Sequence, residues 1–229
     1  MNDTLEKGPA RLRPKTHGGR PTKQAAAERD ERLLEIAAQM FMEHGFDGTS
    51  MDRLAETAMI GKATLYARYA DKGALFADVL RRRILLTYGP LEAEIEKDLK
   101  GKSLEATLLS VARRLLDLTL SPSSIALGRI LAAQGARFPD LGKLAVEEGL
   151  HRQIRLVEKI LASFSGTHRY VIDDLSLAAD LFLSIVLGRV SRVVLLGVPI
   201  EAKTLDRRAR EAVKIFVRGL LEPTPTERC

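Results

Sequence analysis

Four polar side chains lie close together between residues 62 and 68, and their types suit binding to an anion. Lys62, Thr64, Tyr66 and Arg68 supply an ammonium, a hydroxyl, a phenol and a guanidinium from one predicted short helix. Such groups donate hydrogen bonds to phosphate oxygens and to the acceptor edge of guanine. Because few apolar side chains face outward from this helix, we expect it to lie against a polar, anionic surface. The major groove of duplex DNA, which admits an α-helix, fits best.

The flanking residues predict the helices that hold this one in place. Ser50, or Thr49 before it, is suited to cap a helix over about residues 51–58. A break follows at residues 59–61, and Asp71 is suited to cap a third helix after the second one ends near residue 68 or 69. Apolar residues at helical spacing give these helices their inner faces: Met51, Leu54, Ala55, Ala58, Leu65 and Tyr69. This arrangement is typical of a helix-turn-helix.

We predict that the hairpin, the start of the next helix and one upstream basic residue contact DNA. Arg68 has the planar fork that pairs with guanine, and Lys62 is predicted to make a less directional contact. In the alternative interpretation Arg68 only pairs with a neighbouring carboxylate, and the charges of the hairpin only keep it in solution. The predicted contacts are Thr49, Ser50, Lys62, Ala63, Thr64, Tyr66, Ala67, Arg68, Lys72 and Arg20.

The segment KATLYARYADKGALF, residues 62–76, closely resembles the most recognisable segment of the TetR family of one-component transcriptional regulators. The helix predicted for about residues 25–44 and the hairpin resemble the same family in order and spacing. The resemblance implies a DNA-binding domain followed by a helical domain that binds a small-molecule effector and dimerises. Two positions depart from the family pattern: Met59 stands where a turn glycine is usual, and Gly61 stands where a capping serine is common.

The positive charge of the chain is concentrated near its N-terminus. Of the net charge of +6, residues 1–24 contribute +4. This segment is rich in Gly and Pro, which predicts a flexible arm that contacts phosphates or enters a minor groove, with a solubilising tail as the alternative. No apolar run follows the basic residues, so we do not expect a secretion signal. The single cysteine, Cys229, fits a reducing compartment, and we expect a cytoplasmic protein.

The rest of the sequence predicts helices and no strands, so the fold class is all-α. The first helix should end at Gly45, and Gly89-Pro90 should end the helix that starts near Lys72. Later helices are expected over about residues 91–99, 103–120, up to 137 after a Ser-Pro-Ser-Ser break, 139–164, 173–196 and 205–221. The predicted division is a basic arm (1–24), a helix-turn-helix domain with its connecting helix (25–86), a ligand-sensing and dimerisation domain (87–221) and a tail (222–229). Charged residues interrupt the most apolar stretch, so we expect no membrane partner.

The last two predicted helices carry apolar stripes suited to packing against other helices. Either these stripes lie inside the core of one copy of the chain, or they meet a second copy across a two-fold axis. We predict a homodimer, because reading two half-sites on one side of a duplex needs two copies. The predicted interface is Leu175, Ala179, Phe182, Val186, Val193, Ala209, Ala212, Phe216 and Leu220.

The family resemblance also implies a pocket for an unknown small-molecule effector among the middle helices. Polar or aromatic residues on apolar stretches are the candidates to line it. Each has an ordinary alternative role as a solvated charge, a satisfied amide or a core aromatic. The candidates are Arg129, Gln134, Phe138, His151, Phe182 and Arg189.

These observations predict a ligand-responsive transcriptional regulator, most simply a repressor that its effector releases from a palindromic operator in double-stranded DNA. A constitutive or activating regulator without a small-molecule effector is the second hypothesis, and an enzyme or ligand carrier is the third. The sequence has no nucleophile elbow, no phosphate-binding glycine loop and no recognisable acid–base pair, so we do not expect an enzyme. We expect no cofactor and no metal site, because Cys/His ligand spacing is absent.

Overall fold

The computed structural model describes residues 23–98, 102–165, 170 and 172–220, and these residues form helices and no β-strand. The all-α fold class predicted from the sequence is confirmed. The elements are α1 (Lys23–Gly48), α2 (Met51–Ala58), α3 (Lys62–Arg68), α4 (Lys72–Asp98), α5 (Leu104–Thr119), α6 (Pro122–Gln134), α7 (Pro139–Leu144), a π-helical segment (Ala145–Leu150), α8 (His151–Phe164), α9 (Leu175–Leu195) and α10 (Ala202–Gly219).

Three phenylalanines form the centre of the N-terminal core. The ring of Phe76 on α4 lies 5.0 Å from that of Phe41 and 5.6 Å from that of Phe46, in edge-to-face contacts measured between ring centroids. Such pairs add about 0.5–1.5 kcal/mol to the stabilisation from area burial. Leu54 of α2 and Leu65 of α3 are almost fully buried in the same core. The two short helices are therefore held by their apolar faces, as predicted.

Two residues in the left-handed region set the turns of this N-terminal part. Gly45 has φ 72° and breaks the helical path of α1, which confirms the stop predicted there. Met59 ends α2 with φ 54° and ψ 44°, and its amide donates to the carbonyl of Glu56 at 3.1 Å. An L side chain in this conformation costs about 1–2 kcal/mol. Met59, at the position where a turn glycine is usual, is therefore strained, but the turn still forms.

The predicted end of α4 at Gly89-Pro90 is wrong. The helix continues through Pro90 to Asp98 and is 27 residues long. Proline removes one backbone hydrogen bond, but the burial of Leu91 and Ile95 in the C-terminal core stabilises the turns that follow it. One continuous helix therefore belongs to both parts of the molecule.

The C-terminal core is formed by α5, α8, α9 and α10 and the last turns of α4. Phe182 of α9 and Phe216 of α10 contact each other at a centroid distance of 5.1 Å. Leu108 of α5 and Val157 of α8 are fully buried beside them in the same cluster. Each such side chain contributes about 1.5–3 kcal/mol when it is removed from water, so this bundle is held chiefly by apolar burial.

A sharp bend joins α5 to α6. The hydroxyl of Ser121 accepts a hydrogen bond from the amide of Ser124 at 3.3 Å and caps α6, whose first residue is Pro122. This confirms the break predicted at the Ser-Pro-Ser-Ser sequence. The two helices are bent by 66° and only together have the length and apolar composition of a membrane span, which no single helix of the described ranges has.

α6 and α7 attach the C-terminal part directly to the N-terminal core. Leu127 and Ile130 of α6 and Leu141 of α7 are buried in the N-terminal apolar cluster. Phe138, which precedes α7, packs against Phe46 at a centroid distance of 5.3 Å. The orientation of the N-terminal part is therefore set by α6 and α7 as well as by α4.

The single helix predicted over residues 139–164 is interrupted by the π-helical segment between α7 and α8. Hydrogen bonds in such a segment join residues five apart, so the helix is locally wider than an α-helix. Val146 and Leu150 of this segment are exposed. Hydrophobic periodicity does not distinguish this widening from a continuous α-helix, which is why the sequence analysis missed it.

Candidate DNA interface and ligand cleft

The hairpin places α3 at the surface in the orientation predicted. Ser50 caps α2, because its hydroxyl accepts a hydrogen bond from the amide of Arg53 at 3.1 Å. α3 buries Leu65 and leaves its other side chains exposed, and Tyr69, directly after α3, is buried as well. The exposed residues include most of the predicted DNA contacts: Lys62, Ala63, Thr64, Tyr66, Ala67 and Arg68.

Asp52 of α2 binds two of these predicted contacts. Lys62 Nζ donates to Asp52 Oδ2 at 2.8 Å, and Tyr66 Oη donates to Asp52 Oδ1 at 3.2 Å. A second carboxylate, that of Glu56, lies 3.5 Å from Lys62 Nζ. The hydrogen bond from Lys62 holds the pKa of the Asp52 carboxyl below its usual value. Without DNA, α3 is therefore fastened to α2 by solvent-exposed polar contacts.

Arg68, on the other side of α3, pairs with Asp30 of α1. Its guanidinium also lies 5.3 Å from the ring centroid of Tyr69. The side chains of Arg68 and Asp30 are 39% and 46% exposed, so this pair is screened by water and contributes only about 0–1 kcal/mol. A bidentate guanine contact discriminates by about 1–3 kcal/mol. Base reading by Arg68 stays a prediction, and it requires the pair with Asp30 to open.

The side chain of Thr49 is turned into the core, so the predicted DNA contact at this position stays a prediction for its backbone amide. Thr49 is 1% exposed, and its hydroxyl donates to the carbonyl oxygens of Met40 at 3.1 Å and Gly45 at 2.8 Å. The last carbonyls of a helix lack intrahelical donors, and Thr49 supplies one where Gly45 breaks α1. Its role is to close the loop between α1 and α2.

Lys72, another predicted DNA contact, is half-buried and binds the protein's own backbone. Lys72 Nζ donates to the carbonyl oxygens of Thr49 at 2.8 Å and Asp47 at 3.4 Å, and it lies 4.7 Å from the ring centroid of Phe46. Burial lowers the pKa of this ammonium. Lys72 therefore fastens the α1–α2 loop to the start of α4.

Residues 1–22 of the predicted basic arm lie outside the described residues, and Arg20 is one of them. The predicted tail, residues 222–229, lies outside them as well. In the described part, Arg53 is an exposed basic residue of the hairpin that is absent from the DNA contacts predicted from the sequence. It stands in the first turn of α2, where the helix dipole disfavours a cation, and that unusual placement was the available signal.

A cleft of about 630 Å³ lies between α4, α6, the π-helical segment, α8 and α9. Apolar side chains such as Ile84, Leu131 and Leu187 form much of its lining. Small-molecule sites have volumes of about 300–1,000 Å³, apolar walls and a few placed polar groups. The cleft has the size and lining of such a site.

Tyr88 and Gln153 provide a polar pair in this cleft. Gln153 Nε2 donates to Tyr88 Oη at 2.8 Å, and Gln153 is only 7% exposed. Burial raises the pKa of the Tyr88 phenol, so the phenol keeps its proton and offers it to an acceptor in the cleft. Neither residue was predicted from the sequence. A glutamine on the buried face of α8 was the signal that could have found the pair.

Of the six residues predicted to line an effector pocket, only His151 lines this cleft. The other five do not line it, and four of them have partners that sequence spacing does not reveal. Arg129 donates to the carbonyls of Val194 and Leu195, Gln134 donates to Asp47, Phe138 packs on Phe46, Phe182 lies in the C-terminal core, and Arg189 is exposed on α9.

Two family models match the chain on either side of the middle of α4. The model for bacterial regulatory proteins of the tetR family matches residues 33–79, and the model for the C-terminal domain of AefR-like transcriptional repressors matches residues 106–219. An HTH-type transcriptional repressor of Streptomyces coelicolor is 30% identical over 155 residues, which cover 68% of this chain and 73% of that relative. The chain belongs to the TetR family of transcriptional regulators.

Solved structures of similar proteins share this fold. A TetR-family regulator from Mesorhizobium loti has a TM-score of 0.80 at 24% identity and covers 88% of this chain and 100% of its own. The flavonoid-responsive regulator FrrA has a TM-score of 0.67 at 30% identity and covers 86% of this chain and 100% of its own. The predicted helix-turn-helix regulator is thereby confirmed, and a DNA-binding role rather than an enzymatic one follows from the relatives.

The predicted dimer interface is wrong for most of its residues, because they lie inside one copy of this TetR-family chain. The stripe that predicted a neighbouring helix finds that neighbour within the monomer, which was the alternative interpretation. Ala179, Phe182, Val186, Ala209, Ala212 and Phe216 are buried in the C-terminal core, and Leu175, Val193 and Leu220 are partly buried.

Proposed function

We propose that this TetR-family chain is a homodimeric repressor that binds a palindromic operator and leaves it when a small molecule occupies the cleft. The continuous helix α4 carries the proposal. Its Leu75 and Phe76 are buried in the N-terminal core, while its Ile84 and Tyr88 line the cleft two to three turns later. A ligand that displaces the second half of α4 must also displace the helix-turn-helix attached to the first half.

The exposed strip beside the buried stripe of α9 and α10 supports a dimer. Leu177 and Leu181 of α9 are 54% and 51% exposed, and Ile215 of α10 is 61% exposed. The contact between Phe182 and Phe216 brings the preceding residues, Leu181 and Ile215, to the same level of the two helices. Two copies of this strip would form a four-helix interface around a two-fold axis. In that interface these three large apolar side chains would be shielded from water.

The dimer sets the spacing of two α3 helices, and operator binding depends on that spacing. Half-sites on one face of a duplex lie about 34 Å apart. A ligand that prefers a wider or narrower dimer depletes the competent state, and its effect is limited by its differential affinity for the two states. A shift from 99% competent to 1% competent needs about 10⁴-fold preference. The cleft therefore has to bind its ligand much more tightly in the dimer that has left the operator than in the dimer that binds it.

The cleft supports an effector that combines an apolar body with a few hydrogen-bonding groups. Its apolar walls would hold the body, and the Tyr88–Gln153 pair would orient a polar group. FrrA, 30% identical over most of the chain, is named as flavonoid-responsive. Flat polyphenols are therefore the first molecules to test. The protein would act in the cytoplasm, where chromosomal DNA is accessible.

Selection of bound fragments from genomic DNA tests this function. The purified chain is expected to enrich an inverted repeat whose half-sites are about one helical turn apart. A matched control carries Ala63→Glu and Ala67→Glu, which place carboxylates on the exposed face of α3 without touching its buried face. This variant should keep its melting temperature and enrich no repeat. Enrichment of the same repeat by the control, or of none by the wild type, would refute the proposal.

A further inference from the structure

Arg83 of α4 contacts both the cleft and the DNA-binding part of the molecule. It lines the cleft, and its Nη2 donates to Glu35 Oε1 of α1 at 3.2 Å. Its Nε is buried and has no hydrogen-bond partner among the described residues. Buried donors are nearly always paired, and an unpaired one is costly. A cleft that presents such a guanidinium is suited to a molecule that brings its own acceptor.

We propose that the effector carries an acceptor oxygen on an apolar body, and that this oxygen takes the Arg83 guanidinium from Glu35. The inference rests on the proposed function of the cleft and defines the chemical class of its ligand. A carboxylate and a neutral carbonyl share the required chemistry. A purely hydrocarbon molecule lacks it, and a cation would be repelled by the guanidinium.

The exposure of the two partners makes this exchange feasible. The side chain of Arg83 is 25% exposed and that of Glu35 is 53% exposed. An ion pair with one partner largely in water contributes little to stability, so Glu35 returns to solvent at small cost. The half-covered guanidinium then gains a partner that water screens less.

Besides the Tyr88 phenol, which keeps its proton, two other ionisable residues line the cleft, and both leave Arg83 as the determining group. Asp180 of α9 and His151 of α8 are exposed. Water screens exposed charges strongly, so these groups influence a bound ligand less than Arg83 does. Hydroxyls of Thr87 and Ser184 add neutral hydrogen-bonding groups to the same lining.

The exchange would reach the DNA-binding part through α1. Arg82 and Arg83 join α4 to α1 through Glu31 at 2.7 Å and Glu35 at 3.2 Å. When the ligand displaces Glu35 from Arg83, one of these two ion pairs between α4 and α1 is lost. The remaining pair provides a control within the chain, because Arg82 joins the same two helices and also has an unpartnered Nε, yet it does not line the cleft.

The experiment uses four phenanthrenes that share one ring system and differ in one substituent at carbon 9: a carboxylate, an acetyl group, an ethyl group and an aminomethyl group. Binding to the full-length chain is measured by calorimetry, and release of the genomic operator is measured by fluorescence anisotropy. The carboxylate and the acetyl compound should bind at least about tenfold more tightly than the other two, as a hydrogen bond to a charged group provides. The same two should release the operator.

Three variants decide the role of the guanidinium. Arg83→Met keeps the apolar stem and should reduce the preference for the two acceptor compounds to less than about twofold. Glu35→Gln weakens the competing ion pair, so it should tighten binding of the carboxylate compound and weaken operator binding without ligand. Glu31→Gln, the control, should leave the affinity for all four compounds unchanged.

The proposal is overturned if the ethyl compound binds wild type as tightly as the acetyl compound, if none of the four binds, or if the preference survives in Arg83→Met. Should Arg83→Met fail to fold, the comparison of the ethyl and acetyl compounds on the wild-type chain still decides the proposal. Failure of the proposed function is a different result, because the wild-type chain would then select no operator in the first place.

Discussion

Replacing Thr49 by valine tests whether this residue supports the loop or contacts DNA. The substitution replaces a hydroxyl by a methyl group of similar size at a position that is 1% exposed. It leaves the carbonyls of Met40 and Gly45 without the donor that now lies 3.1 Å and 2.8 Å away. A buried acceptor that loses its partner costs about 1–3 kcal/mol, and the added apolar burial returns less than 1 kcal/mol, about the value of one methyl group.

We therefore expect Thr49→Val to lower the free energy of unfolding by about 1–2 kcal/mol. For a chain of this size that corresponds to a fall in melting temperature of about 2–8 °C. Operator affinity at 20 °C, measured by fluorescence anisotropy, should change by less than about twofold. Thr64→Val makes the same chemical change on the exposed face of α3 and should leave the melting temperature unaltered. A stable Thr49→Val protein that has lost operator affinity would refute the reasoning.

Three further predictions concern the turn, the arm and the dimer. Met59→Gly relieves a left-handed side chain that is 73% exposed, and should raise the free energy of unfolding by about 0.5–1 kcal/mol after the entropy of glycine is included; a lower melting temperature would contradict this. Deletion of residues 1–22 should reduce the slope of log affinity against log salt by about 0.9 for each lost phosphate contact, whereas an unchanged slope would make the arm a solubilising tail. Leu181→Glu places a charge in the proposed dimer strip and should give monomers in analytical ultracentrifugation, while Glu at exposed Leu196, outside the strip, should not.

The sequence predicted the hairpin in detail because its signals are local. Ser50 caps α2, Met59 takes the left-handed turn and Asp71 caps α4 with a bond to the amide of Ala74 at 2.8 Å. Each of these features depends on residues within four positions in the chain. The apolar faces of α2 and α3 follow from helical spacing alone, which is also local.

The errors arose where the outcome depends on residues far apart in the chain. Thr49 and Lys72 have side chains that suit DNA, but both bind backbone carbonyls of the α1–α2 loop. The apolar stripes of α9 and α10 could not show whether their neighbour is the same chain or another copy. The polar pair of the cleft was missed because Tyr88 and Gln153 belong to different helices and lie 65 residues apart in the chain.

The measurement that tests the central claim most directly is a base-preference profile of the selected operator, taken for wild type and for Arg68→Ala. Every single-base change in a half-site is titrated with both proteins, and the melting temperatures are measured beside them. If α3 reads bases in the major groove, Arg68→Ala should cost about 1–3 kcal/mol on the preferred site and abolish preference at one position in each half-site. An unchanged profile with a lowered melting temperature would contradict the account and leave Arg68 as the partner of Asp30 alone.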